Sequence, residues 1–171
     1  GGIITLSTHL PNFVTGGSFY DTSVGAVAHI LPGGDKNAEF NEMLDHIAYV
    51  ANNLKDDDGE LIPILFRPFH EQNGSWFWWG APHTKTSDYI ALYRYTVEYL
   101  RDRKGVHNFL YVFSPNGPFS GSEKTYLQTW PGDEYVDILG MDQYDNQDFP
   151  GRRNFLQGLA KDLAMINRLA D

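Results

Sequence analysis

Short apolar runs alternate with amphipathic stretches along the chain, and this alternation restricts the fold more than any single residue does. Ile3–Ser7, Leu61–Phe66, Phe109–Phe113 and Val136–Met141 read as strands. Asn37–Leu54 reads as a helix, with Phe40, Met43, Leu44, Ile47, Val50, Ala51 and Leu54 at helical spacing. Asp88–Arg103 reads as a second helix, with Ser87 as its N-cap and Gly105 as its stop. A helical turn is expected at Glu123–Gln128, and a last helix at Asn154–Leu169. Leu61–Phe66 is almost unbroken in its apolar character, which predicts a strand buried on both faces. The order β-α-β-α-β-α-β-α predicts an α/β domain of parallel strands joined by helical crossovers.

Two architectures satisfy this order. At 171 residues the chain can bury one core of its own but falls short of the ~250 residues of an eight-stranded (β/α)8 barrel. An open, doubly wound sheet fits the length better, yet no Gly-rich phosphate loop opens any of the helices, so a nucleotide site has little support. The chain opens as Gly1-Gly2 without an initiator Met and runs directly into a strand, so it is expected to be a piece of a longer protein.

Charge and composition remove other classes. Lys plus Arg number 13 against 22 Asp plus Glu, a net charge of -9, which argues against tracking a nucleic-acid backbone. There are no cysteines, hence neither a disulfide framework nor a Cys-based zinc site. No run of about 18 apolar residues occurs, so no membrane insertion is expected. Asp56-Asp57-Asp58-Gly59 reads as a solvated turn, because the rest of a calcium-ligand loop is absent.

Polar and aromatic residues gather just after each strand: Thr8-His9, Arg67 to Trp79, Ser114 to Asn116, and Asp142 to Tyr144. In parallel α/β folds the reactive groups sit there, on the loops at the carboxyl ends of the strands. Three of the four tryptophans, Trp76, Trp78 and Trp79, fall within four residues. Neighbouring side chains cannot all face inward, so at least one indole is expected at the surface. An exposed indole covers the C–H face of a pyranose while its N–H reaches a hydroxyl. Glu71, flanked by Arg67 and His70, is placed to protonate a glycosidic oxygen, a role that needs a carboxyl group kept protonated by burial against aromatics. The same loop is also compatible with a core plug or a partner surface. His9, His70, Glu71 and Asp142 could be assembled into a metal site on paper, but adjacent His70 and Glu71 diverge and no H-E-x-x-H spacing occurs, so no metal is expected. His29, His46, His83 and His107 read as surface or loop residues, and Trp78 and Trp79 are divided between cleft and core.

Arg67 to Gly80, read as R-P-F-H-E-x-N-G-x-W-F-W-W-G, resembles the acid/base segment of glycoside hydrolase family 26, and in particular of its β-mannanases. The resemblance covers essentially the whole chain. It implies a (β/α)8 barrel of which this chain supplies about four βα units, strands three to six, as a single incomplete catalytic domain over residues 1–171. It implies endo-acting, retaining, metal- and cofactor-independent hydrolysis of β-1,4-mannosidic bonds. Glu71 would serve as general acid and then general base, and Trp76 would stack on a sugar next to the cleavage point. His70 would hold the machinery and bond substrate, while Arg67 and Asn73 would organise the site; Arg67 reads equally as a barrel-interior ion pair. His9 resembles the family's histidine at the end of its third strand. Asp142 and Tyr144 resemble its sixth-strand pair, and Trp79 would add to the substrate-binding set. The partner would be a β-mannan or manno-oligosaccharide, and a polymeric substrate implies a secreted, periplasmic or cell-surface location.

A retaining glycosidase needs two carboxyl groups about 5–5.5 Å apart. The family's nucleophile is a Glu at the end of the seventh strand, and no Glu lies downstream of Glu134 here. The nucleophile is therefore expected outside this chain, which alone should be inactive and should expose open barrel edges. Three other readings stay open: a β-glucanase or xylanase of the same family, a non-catalytic carbohydrate-binding module, and a protein-interaction domain using the tryptophan loop as a hot spot.

Overall fold

The computed structural model describes residues 3–146 and 152–170. The four strands are β1 (Ile4–Ser7), β2 (Ile64–Arg67), β3 (Phe109–Phe113) and β4 (Ile138–Leu139). They form one parallel sheet in the order β1-β2-β3-β4. Ile4 pairs with Ile64, Ile64 with Phe109, and Val112 with Ile138. Each strand lies beside its predecessor, and nowhere does the order reverse as it does at the switch point of a doubly wound sheet.

The helices are α1 (Val27–Ile30), α2 (Asn37–Asn53), α3 (Thr86–Glu98), α4 (Glu123–Tyr126) and α5 (Arg152–Ala170). On α2, Phe40, Leu44, Ala48 and Ala51 follow the helical repeat and are buried. They join Ile64, Phe66, Phe109, Tyr111 and the α3 residues Leu92, Tyr93 and Val97 in the main core. A second cluster joins Phe113 to Phe119, Tyr126 and the α5 residue Met165. Phe109, Tyr111 and Phe113 are alternate residues of one strand and so share one face. Both clusters, and with them α2, α3 and α5, therefore lie on that single face of the sheet. Helices confined to one face, with strands in sequential order, are the arrangement of a barrel wall rather than of an open sheet sandwiched between two helical layers.

This arrangement corrects several expectations. β2 is covered on one face only: Ile64 and Phe66 are buried, whereas Leu65 and Arg67 are half-buried. Its start also moves, since Leu61 pairs antiparallel with Lys55 across the acidic turn instead of joining the sheet. There the Asp56 carboxylate accepts the amides of Asp58 and Glu60 at 3.0 and 2.9 Å. β4 is two residues long rather than six. The N-cap position of α3 falls on Lys85, not Ser87, and is made without a side-chain cap bond. The Ser87 hydroxyl instead donates to Asp88. The helix changes to a π-helical turn over Tyr99–Arg103 before Gly105, whose φ of 64° ends it. The short helix α1 lies between the first strand and α2, where the sequence predicts no element.

Candidate active site

The site is built on the loop that leaves β2. Pro68 to Gly80 cannot continue the strand, and Phe69 and Glu71 take positive φ values of 48° and 54°. Non-glycine residues seldom hold that conformation, and where they do the surrounding structure fixes them. Here the Glu71 amide donates to the Ser114 carbonyl at 2.8 Å, pinning the bend to the end of β3. The result is a Glu71 side chain that is only 5% exposed at the carboxyl edge of the sheet.

Both oxygens of the Glu71 carboxylate accept hydrogen bonds. The Trp76 indole N–H donates to Oε2 at 2.7 Å, and the Tyr144 hydroxyl to Oε1 at 3.0 Å. The carboxylate in turn raises the pKa of Tyr144 above its ordinary value. Trp76 reaches Glu71 because Gly74, between them, has no side chain. A methyl group there would overlap the outer atoms of the Trp76 ring.

The three indoles of the segment separate. Trp76 is 37% exposed. Trp78 is buried and donates to the Leu10 carbonyl at 2.9 Å. Trp79 is 1% exposed and donates to the His70 carbonyl at 2.9 Å. The expectation that Trp79 meets substrate is therefore corrected: it supports the loop from beneath. Phe77, Trp78 and Trp79 are all buried, so Trp76 alone meets the expectation of an indole at the surface.

His70 is buried, edge-on to His9 at 4.8 Å and to Phe77 at 5.3 Å between ring centroids. Burial, reinforced by the nearby charges of Arg67 and His9, drives its pKa down to about 3. It is thus a neutral imidazole at neutral pH, and among the described residues its Nδ1 has no hydrogen-bond partner. His9, at the end of β1, is exposed and also meets Phe19 at 4.7 Å.

Arg67 and Asp142 pair with each other. The guanidinium donates to Asp142 Oδ2 at 2.7 Å and to the Ser7 hydroxyl at 3.2 Å. The Ser114 hydroxyl donates to the same Asp142 oxygen at 2.7 Å. This ion pair links the ends of all four strands, with Ser7 ending β1, Arg67 ending β2, Ser114 after β3 and Asp142 after β4. Asp142 is consequently engaged within the wall. Asn73 exchanges two hydrogen bonds with the Asn116 backbone, donating to its carbonyl and accepting from its amide, both at 2.7 Å. Ser7, Ser114 and Asn116 also organise the site: Ser114 and Asn116 belong to the polar group expected after β3, whereas Ser7, the last residue of β1, carried no signal in the sequence.

His9, His70, Glu71, Trp76 and Tyr144 thus come together at one end of the sheet, with Arg67, Asp142 and Asn73 as the bonds that hold it. His29 pairs with Asp35, and the His83 Nε2–H donates to the Ser75 carbonyl at 2.9 Å, so both are engaged by groups other than Glu71. Among the described residues no three His, Asp or Glu side chains are grouped to hold a metal ion.

Comparison with known proteins gives a consistent picture. The family model described as glycosyl hydrolase family 26 matches residues 1–170. A mannan endo-1,4-beta-mannosidase of Bifidobacterium adolescentis is 51% identical over 98% of this chain and 17% of its own length. The catalytic domain of a Bacillus sp. JAMB-750 endo-beta-1,4-mannanase superposes with a TM-score of 0.96 at 61% identity, covering 99% of this chain and 44% of that one. An endo-beta-1,4-mannanase of Cellulomonas fimi superposes with a TM-score of 0.95 at 55% identity, covering 100% of this chain and 37% of that one. The chain therefore spans less than half the length of each of these relatives.

Proposed function

The chain belongs to glycosyl hydrolase family 26, and from that premise we propose that it carries the acid/base side of an endo-acting β-1,4-mannanase. The observation that supports this reading is the buried Glu71 carboxylate at a strand end, with Trp76 and Tyr144 donating to its two oxygens. Glu71 protonates the glycosidic oxygen as the bond breaks, then takes a proton from the water that attacks the glycosyl intermediate, so configuration is retained. Proton delivery requires one of its oxygens to be released. Tyr144, 63% exposed, is the donor with room to turn away when a sugar enters.

The second carboxylate comes from outside these residues. Asp142 is no substitute, since Arg67 and Ser114 both bond its Oδ2. The four strands correspond to strands three to six of the complete barrel, and a polymeric substrate places the protein outside the cytoplasm. Mannan is favoured over xylan or mixed-linkage glucan because the relatives above are named as mannanases.

The test is a hydrolysis panel of mannan, xylan and mixed-linkage glucan on the full-length protein and its Glu71→Gln variant. Mannan is expected to be the best substrate. The substitution should lower kcat by ~10²–10⁴-fold, the usual contribution of general acid–base catalysis, with oligosaccharide binding retained. Mannan as the poorest substrate, or a variant with undiminished kcat, refutes the reading.

A further inference from the structure

Outside the residues already placed in the site, Tyr20 is the exposed end of a stack of aromatic rings. Its ring lies over Phe77 with centroids 5.6 Å apart and planes 20° from parallel. Phe77 is buried and stacks in turn on Trp79 at 4.4 Å and 23°. Phe77 also meets the rings of His70, which precedes Glu71 in the chain, at 5.3 Å and of Trp76, which bonds its carboxylate, at 6.2 Å. Tyr20 is 61% exposed, so one face of its ring is backed by Phe77 while much of the rest is open to solvent.

The loop that presents Tyr20 is already ordered by its own bonds. The buried Asn12 amide donates to the carbonyls of Asp21 and Val24 at 2.9 and 3.1 Å, and its Oδ1 accepts from Val14 at 3.0 Å. Asp21 accepts from the amide and hydroxyl of Ser23 at 3.0 and 2.6 Å. The Trp78 amide donates to the Phe19 carbonyl at 3.3 Å, tying this loop to the Glu71 loop. An aromatic face held in place before binding loses little entropy when a ligand covers it. A flat, open face with a polar hydroxyl at its rim matches the C–H face of a pyranose ring.

We propose that Tyr20 is a stacking platform for a sugar ring of the bound β-mannan, on the His9 side of Glu71 and beyond the ring next to the scissile bond. It gives the enzyme its preference for longer chains. This inference rests on the hydrolase reading of Glu71.

The experiment measures kcat/KM on β-1,4-manno-oligosaccharides from mannotriose to mannohexaose, with the full-length protein and its Tyr20→Ala, Tyr20→Leu and Tyr20→Phe variants. Leu keeps Phe77 covered but removes the flat face, so it reports on the platform even where Ala unsettles the loop. The ratio of the hexaose to the shortest cleaved substrate should fall about tenfold in Tyr20→Ala and Tyr20→Leu, equivalent to about 1.4 kcal/mol, and should hold in Tyr20→Phe. An active wild type whose Ala and Leu variants keep the wild-type ratio overturns the platform alone. A wild type that leaves every mannan untouched overturns the hydrolase reading and the platform with it.

Discussion

At the scale of single residues, His70 carries a measurable consequence of where it lies. Buried among aromatic rings and beside Arg67, it titrates at about 3 in the folded chain, against about 6.5 for an exposed histidine. Between those values the unfolded chain binds a proton that the folded chain does not. Folding stability therefore rises with pH across that window and is lost on acidification. From pH 7 to pH 5 this one group should remove on the order of 2 kcal/mol. Urea unfolding of the full-length protein at the two pH values should show that loss, and His70→Phe should reduce it. A wild-type stability that does not fall between pH 7 and 5 contradicts the buried neutral imidazole. Glu71 differs in kind: under the proposed acid/base role its bonds to Trp76 and Tyr144 position the reacting group, so substitutions around it belong in rate measurements rather than stability measurements.

At the scale of elements, the loop after β2 works because other elements hold it. Gly74 is the narrowest point. In Gly74→Ala the added methyl displaces the Trp76 ring and breaks its bond to Glu71. A hydrogen bond to a charged group contributes about 1.5–3 kcal/mol, so kcat/KM should fall about tenfold or more. Steady-state kinetics beside a circular-dichroism melt would separate this from unfolding. A second bond of this kind ties α5 to the loop after β3. The fully buried Asp162 carboxylate accepts the amides of Phe119 at 2.9 Å and Gly121 at 2.7 Å. Asp162→Ala leaves both amides without their acceptor, a change expected to cost about 1–3 kcal/mol and readable as a lowered denaturant midpoint. That loop also carries Ser114 and Asn116, so loosening it should reach Glu71 and Asn73 as well.

At the scale of the whole molecule, the wall is tied together at the end that carries Glu71. The Ser7–Arg67–Asp142–Ser114 network joins the four strand ends. An isolated 171-residue chain is expected to hydrolyse no mannan, because the nucleophile of the proposed reaction comes from outside it and Asp142 is held by Arg67 and Ser114. Incubating the purified chain with mannan and following reducing ends checks this. Release above that of its Glu71→Gln variant would show that the chain is sufficient. Sugar binding without turnover is the outcome that fits the geometry.

Much of this was legible from the order of residues, and the boundary is physical. Local patterns encode local structure: helical spacing placed α2 to within a residue of its end, alternation specified parallel strands, and R-P-F-H-E with its tryptophans marked Glu71 and the exposed Trp76. Other features depend on partners distant along the chain. Three indoles close in sequence look alike, and only packing against Leu10 and His70 decides that Trp78 and Trp79 lie inside. An apolar run shows that a strand is buried, but the placement of α2 and α3 decides that one face of β2 is covered. Arg67 and Asp142 stand 75 positions apart, and Tyr20 and Phe77 are also far apart in sequence, so neither an ion pair nor a stacked column is written in either segment. The sequence by itself determined the longer helices, the parallel strands and the candidate acid/base carboxylate. The tertiary structure decided which side chains lie open at the strand ends and which face the core, because only the folded sheet brings its four strand ends to one place.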